Sequence, residues 1–174
     1  LMNRTPWNLW DLKTGGITAG ASTAEAQKVL ESALQRNADS GGLEHPGLLH
    51  MYIHLMEMSP HPEMALKVGD RLRNLVPDSG HLQHMPTHID VLCGQYQAVV
   101  DSNDAAIIAD RKFQVREGSV NFYSLYRCHN YHFKVYGAMF LGQYRAAIQA
   151  AGEMVSSTLT AELLRVQSPP MADW

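Results

Sequence analysis

Residues 92–100 read LCGQYQAVV and residues 140–148 read FLGQYRAAI, aligned at an offset of 48 with Gly94 over Gly142 and Tyr96 over Tyr144. A glycine after one apolar helical pattern, with a second pattern close behind, marks a helix end and a tight turn. Two such turns in one chain predict helix pairs and prompt a search for repeats. Around the first turn, helices are expected over about 80–93 and 96–112; around the second, over 128–141 and 144–157. Upstream, a helix starts near Pro46 and ends at Ser59-Pro60, because proline suits a first helical turn and halts a helix that precedes it. Another spans about 62–75 and stops before Pro77. Ser22-Thr23-Ala24-Glu25 is a capping signal for AEAQKVLESALQR, which puts Ala26, Val29, Leu30 and Ala33 on one face. Residues 1–21, with Pro6, Trp7, Trp10, Gly15, Gly16 and Gly20, read as irregular. QVREGSVNFYSLYR (114–127) reads as loop plus a short helix, and 162–174, ending QSPPMADW, as an extended tail. No segment alternates with a strand period, so the fold class is all-α.

The 174 residues suit one domain or one repeat array with a sizeable core. The net charge of −3 leaves no footprint for nucleic acid or an anionic membrane. No run reaches the ~18 apolar residues of a membrane span. The start, LMNRTPWNLW, lacks an initiator Met and a basic-then-apolar leader, so a trimmed chain is expected. Cys93 and Cys128 make no disulfide framework and fit free thiols in a reducing compartment, so the cytoplasm is the expected location. The unusual totals are nine histidines and nine methionines.

The Gly-x-Tyr turn resembles the turn between helix A and helix B of the tetratricopeptide repeat, a motif of about 34 residues that usually ends in proline. On that template the units are 46–79, 80–113 and 128–161, with 114–127 as an insert and the helix from 22 as a helix B packed on the front. Ala65 and Ala147 then fall on the small residue of helix B, and Pro77 on the terminal proline. The second unit has Val99 at the small position, and the first lacks the Gly-x-Tyr turn. HPGLLHMYIHLMEMSPHPEMAL and GHLQHMPTHIDVLCGQY also resemble a histidine-rich branch of this family whose function is uncharacterised. The resemblance implies antiparallel helix pairs stacked as a short right-handed solenoid over 22–161. Helix A of each pair would line a concave groove.

The register was set by turns and proline, yet it sorts the histidines. His50, His84 and His132 share position 5; His54 and His88 share position 9; His81 and His129 share position 2. Seven of these nine slots are His, the others being Gly47 and Tyr136. Positions 2, 5 and 9 form one stripe on a helix, and on the template all three stripes face the groove. Glu57 continues the first stripe one turn past His54. Imidazoles at i, i+4, as in His50/His54 and His84/His88, can reach one transition-metal ion. The expected ligands are therefore His50, His54, His81, His84, His88, His129 and His132, holding one or two ions. A nitrogen-rich set with few carboxylates suits copper first, with iron or zinc as alternatives. Met51, Met56, Met58 and Met85 lie nearby; core filler is the plainer reading for them. Cys128 reads as a structural thiol and His61 as turn chemistry, while His45 stays open between ligand and turn. Asp90 and Arg127 read as solvated or hydrogen-bonded supports, and Lys67, Asp70, Arg71 and Arg73 as the convex solvent face.

The expected function is a metalloenzyme with oxidoreductase chemistry favoured, acting on a small molecule or peptide in the groove. Glu57 and Tyr136 are its catalytic candidates. A hydrolytic variant would use a metal-bound water with Glu57 as general base. The alternative is a scaffold that binds a peptide without catalysis.

Overall fold

The structure is a computed structural model that describes residues 1–2 and 8–166. Pro6, Trp7 and the stretch 167–174 lie outside the described residues. The described chain is helical, and its one strand-like feature is an isolated antiparallel bridge between Trp10 and Ile17. The helices are α1 (Thr23–Asp39), α2 (Pro46–Met56), α3 (Leu66–Leu72), α4 (Gly80–His84), α5 (Thr87–Leu92), α6 (Tyr96–Glu117), α7 (Ser124–Phe140), α8 (Tyr144–Ser157) and α9 (Ala161–Val166). A 3-10 turn over Pro62–Ala65 leads into α3. No helix among the described residues is long and apolar enough to cross a membrane.

Both Gly-x-Tyr turns take the same form. Gly94 and Gly142 have φ of 75° and 67°, the left-handed region that favours glycine. Behind each, the next backbone N–H bonds six-to-one: Gln95 to the Asp90 carbonyl (2.8 Å) and Gln143 to the Ala138 carbonyl (2.9 Å). This caps one helix and launches the next, α5 into α6 and α7 into α8.

Other helix limits differ from the sequence reading, for physical reasons. The expected helix over 80–93 is broken between α4 and α5 at Met85-Pro86. Pro86 has no N–H to give to Leu82, and Thr87 Oγ1 donates instead to the His84 carbonyl (2.7 Å). Within 114–127, α6 runs to Glu117, Gly118 at φ 87° ends it, and α7 begins at Ser124. The first residues of the expected extended tail belong to α9. At α1 the Ser22 side chain makes no capping bond; Thr23 Oγ1 donates to the Leu9 carbonyl (2.6 Å) and ties the N-terminal segment down. Ala26 and Leu30 are buried there, while Val29 is half exposed.

Packing follows chain order: α1 on α2, α2 on α3, α4 and α5 on α6, α6 on α7, α7 on α8. The main core lies under α1–α5, where Leu49, Tyr52, Ile53 and Met56 form the inward stripe of α2. Burying Leu49 or Ile53 is worth roughly 1.5–3 kcal/mol each. Met56 and Met85 are core residues. Smaller clusters, Val100 with Ala138 and Ala147, and Ile107 with Tyr131 and Ala150, hold α6, α7 and α8 together. The small residues Ala65 and Ala147 are buried, and Val99 is fully buried.

The presumed solvent face is more tightly paired than expected. Arg71 grips Glu44 through two bonds (2.8 and 2.7 Å), and Arg73 bonds the buried Asp90 (3.1 Å) and Ser102. Lys67 and Asp70 are exposed.

Candidate metal centre

The apolar stripe of α2 faces the core and leaves His50 and His54 on the opposite side, half buried. α4 brings His81 and His84, α5 brings His88, and α7 brings His129. Six of the seven histidines expected as ligands converge into two groups, His50/His54/His81 and His84/His88/His129. Within each group one ring nitrogen per histidine lies within 4.8 Å of the others, and either group could hold a metal ion. The groups abut: ring centroids are 5.8 Å apart for His54 and His88, and 6.5 Å for His81 and His84.

The hydrogen bonds fix several tautomers. Asn103 Nδ2 donates to the Val99 carbonyl (2.8 Å) and to Thr87 Oγ1 (3.3 Å), so Oδ1 is the atom facing His84. His84 Nδ1 must then donate to it, at 2.8 Å. Glu57, at the C-cap of α2, accepts from His54 Nδ1 (2.8 Å) with one oxygen and from His88 Nδ1 (2.6 Å) with the other. In neutral imidazole the opposite nitrogen then carries the lone pair. His84 Nε2 and His88 Nε2 face each other at 2.9 Å, and His50 Nε2 and His81 Nε2 at 3.1 Å. Between His84 and His88, two inward lone pairs at that distance repel unless a proton or a cation lies between them, whereas one of His50 and His81 can donate its Nε2–H to the other.

Electrostatics disfavour the proton. His84 is fully buried, and burial pushes its pKa well below the ordinary value, with His88 and His129 adding to the effect. Burial lowers His50 to about 4, helped by His54 and His88, and His129 to about 4, helped by His88 and His132. His81 falls to about 3, again through burial first and then His50. Burial alone would raise the Glu57 carboxyl, but the bonds from His54 and His88 outweigh it and bring it to about 2. His50, His81, His84 and His129 are thus held as neutral imidazoles close to one carboxylate.

His132 is exposed and belongs to neither group. Its helix explains why. From His129, residue 132 lies about 60° round α7 in one direction and residue 133 about 40° in the other. The face that meets the centre runs on the 133 side, so Phe133 takes the place: its ring lies 4.7, 4.9 and 4.7 Å from His84, His88 and His129. Tyr136 is also turned outward, half exposed and edge-on to Phe140 (4.9 Å), roughly 10 Å along α7 from His129. His45 is resolved as the N-cap of α2, accepting from the Leu48 N–H (3.3 Å). His61 is an exposed turn residue paired with Glu63 (3.2 Å). Cys128 is a half-buried free thiol, raised by burial.

Sequence reasoning missed Asn103 and the anchor under α4, and it reads Phe133 and Tyr123 only as core or insert packing or as walls of a substrate pocket. Asn103 carried a signal: a lone amide on the Val99, Ala106, Ile107 face of α6, all buried. The anchor is Tyr123, whose hydroxyl accepts the His81 N–H (2.9 Å) and donates to Asp110 Oδ1 (2.9 Å). Asn130 Nδ2 donates to the other Asp110 oxygen (2.7 Å). Burial raises Asp110 to about 6, against those two bonds and the charge of buried Arg127.

Comparison with family models, with curated proteins and with solved structures gave no match. Fold and site together define an all-helical protein carrying two histidine groups able to hold metal.

Proposed function

We propose that this is a transition-metal protein built as a tetratricopeptide-like solenoid, with ions held at the two histidine triads in its concave groove. The observation that carries the reading is the outward tether on three of the six histidines. His54, His84 and His88 each give Nδ1–H to Glu57 or Asn103, which turns Nε2 inward. Such outer partners orient metal-binding imidazoles and raise their basicity. An all-imidazole set favours copper, with iron or zinc as alternatives, and redox chemistry on a small molecule or peptide fits that choice. The hydrolytic variant is less favoured, because a carboxylate held at about 2 with both oxygens engaged is a weak general base. A peptide-binding scaffold without metal is the competing reading. It predicts no ion and no use for inward lone pairs.

Elemental analysis of tag-free protein after reconstitution with copper, iron or zinc should find about two ions per chain. Absence of any ion under all three metals would sink the proposal. His84→Ala combined with His88→Ala should remove the ion of that triad and leave helicity intact by circular dichroism. Retention of full metal content in the double variant would mean the triad is misassigned.

A further inference from the structure

Glu57 stands between the triads. Its Oε1 holds His54 of one group and its Oε2 holds His88 of the other. The three residues come from α2, the end of α2 and α5, so a single carboxylate ties ligands on two elements. The bonds are short (2.8 and 2.6 Å), and the three side chains are between 15% and 18% exposed. The groups also meet edge to edge, with ring centroids 5.8 Å apart for His54 and His88 and 6.5 Å for His81 and His84.

We infer that the two triads form one two-ion centre, and that Glu57 is the positioning residue on which joint loading of both halves depends. This rests on the metal reading above. The chemistry is specific to a carboxylate. Both oxygens accept, so both Nδ1–H groups are satisfied and both Nε2 lone pairs turn inward. An amide has one acceptor and one donor. With glutamine at 57, one histidine keeps its bond while the other meets an N–H with its own N–H. That histidine must switch tautomer, place its proton on Nε2 and leave the ligand set. The amide also removes the negative charge that offsets repulsion between two neighbouring cations.

The test uses the full chain and Cu(II) alone. Native protein should bind two copper ions whose electron paramagnetic resonance spectrum is that of an interacting pair, with a half-field transition or loss of the isolated-ion signal. Glu57→Gln should bind one copper ion, show an ordinary isolated-ion spectrum, and keep native helicity. Two independent isolated-ion spectra at full intensity in the native protein would overturn the inference while leaving the metal reading in place. So would two copper ions bound to Glu57→Gln with native affinity. The native spectrum decides the question even where the variant does not fold. No copper bound by native protein would overturn both readings together.

Discussion

At the scale of single residues, the centre is specified by groups that touch the histidines from behind. Asn103 is fully buried, and its oxygen is the acceptor for His84 Nδ1–H. Asn103→Ala leaves that donor only the long contact to Thr87 Oγ1 (3.4 Å) in a buried site. We expect a loss of about 1–3 kcal/mol of stability, read by urea unfolding. Metal affinity at the His84/His88/His129 triad should fall about 10–100-fold, read by cobalt titration, with the other triad unchanged. A variant as stable as native, with both triads intact, would show that the bond does not orient His84. The same scale separates His129 from His132. His129→Ala removes a member of a triad and should cost one ion per chain by elemental analysis. His132→Ala alters an exposed ring and should leave metal content and melting temperature unchanged. The opposite ranking would restore the i, i+3 pairing that the repeat register suggests.

At the scale of elements, what was legible in the sequence is what local chemistry decides. The Gly-x-Tyr turns depend on a left-handed backbone at one residue, and Gly94 and Gly142 announce it. The apolar stripe of α2 is readable because Leu49, Tyr52, Ile53 and Met56 follow helical spacing, and it fixes which side His50 and His54 take. The rotation of α7 about its axis was not readable. Carrying the stripe from units one and two into unit three assumed the same facing, whereas α7 starts four residues before the template boundary and turns Phe133 inward. Glu57 was found as a stripe residue, but its bond to His88 depends on how α5 packs against α2, which no spacing encodes. The placement of α4 rests on such packing too. A Cβ at Gly80 would lie 1.9 Å from Asp110 Oδ1 and 2.8 Å from the Ala106 carbonyl, so α4 can approach α6 only at a glycine. Gly80→Ala should therefore push α4 off the Asp110–Tyr123 anchor. We expect a loss of about 3 kcal/mol in chemical denaturation, and weaker metal binding at both triads, since α4 supplies a histidine to each. Native stability in this variant would show that α4 is not held by that contact.

At the scale of the whole molecule, the histidines set how the metal-free fold responds to acid. His50, His81 and His129 are held at about 4, 3 and 4 in the folded chain, against an ordinary value of 6.5. A base with a depressed folded pKa favours the folded state above its unfolded value and loses that contribution as pH falls through the window between the two. Glu57, lowered from 4.5 to about 2, acts in the same direction at lower pH. Asp110 opposes them: raised from 3.8 to about 6, it stabilises most at low pH and loses that contribution as pH rises through the same region. At pH 5 the three histidines alone give an uptake of nearly three protons on unfolding, and Asp110 cancels roughly one of them. The buried His84 adds to the histidine side. We therefore expect a net uptake of about two to three protons at pH 5, measured as the slope of unfolding free energy against pH in urea titrations of metal-free protein. Stability should fall steadily from pH 6.5 towards 4, the reverse of what Asp110 alone would produce. A flat profile across that range would mean the histidines are solvated rather than packed as a neutral cluster. Bound copper should raise the whole curve by mass action, because the ion binds the folded arrangement and the unfolded chain has no assembled triad. The gain should shrink as protons compete for the same Nε2 atoms, so the metal-loaded and metal-free curves converge at the acid end.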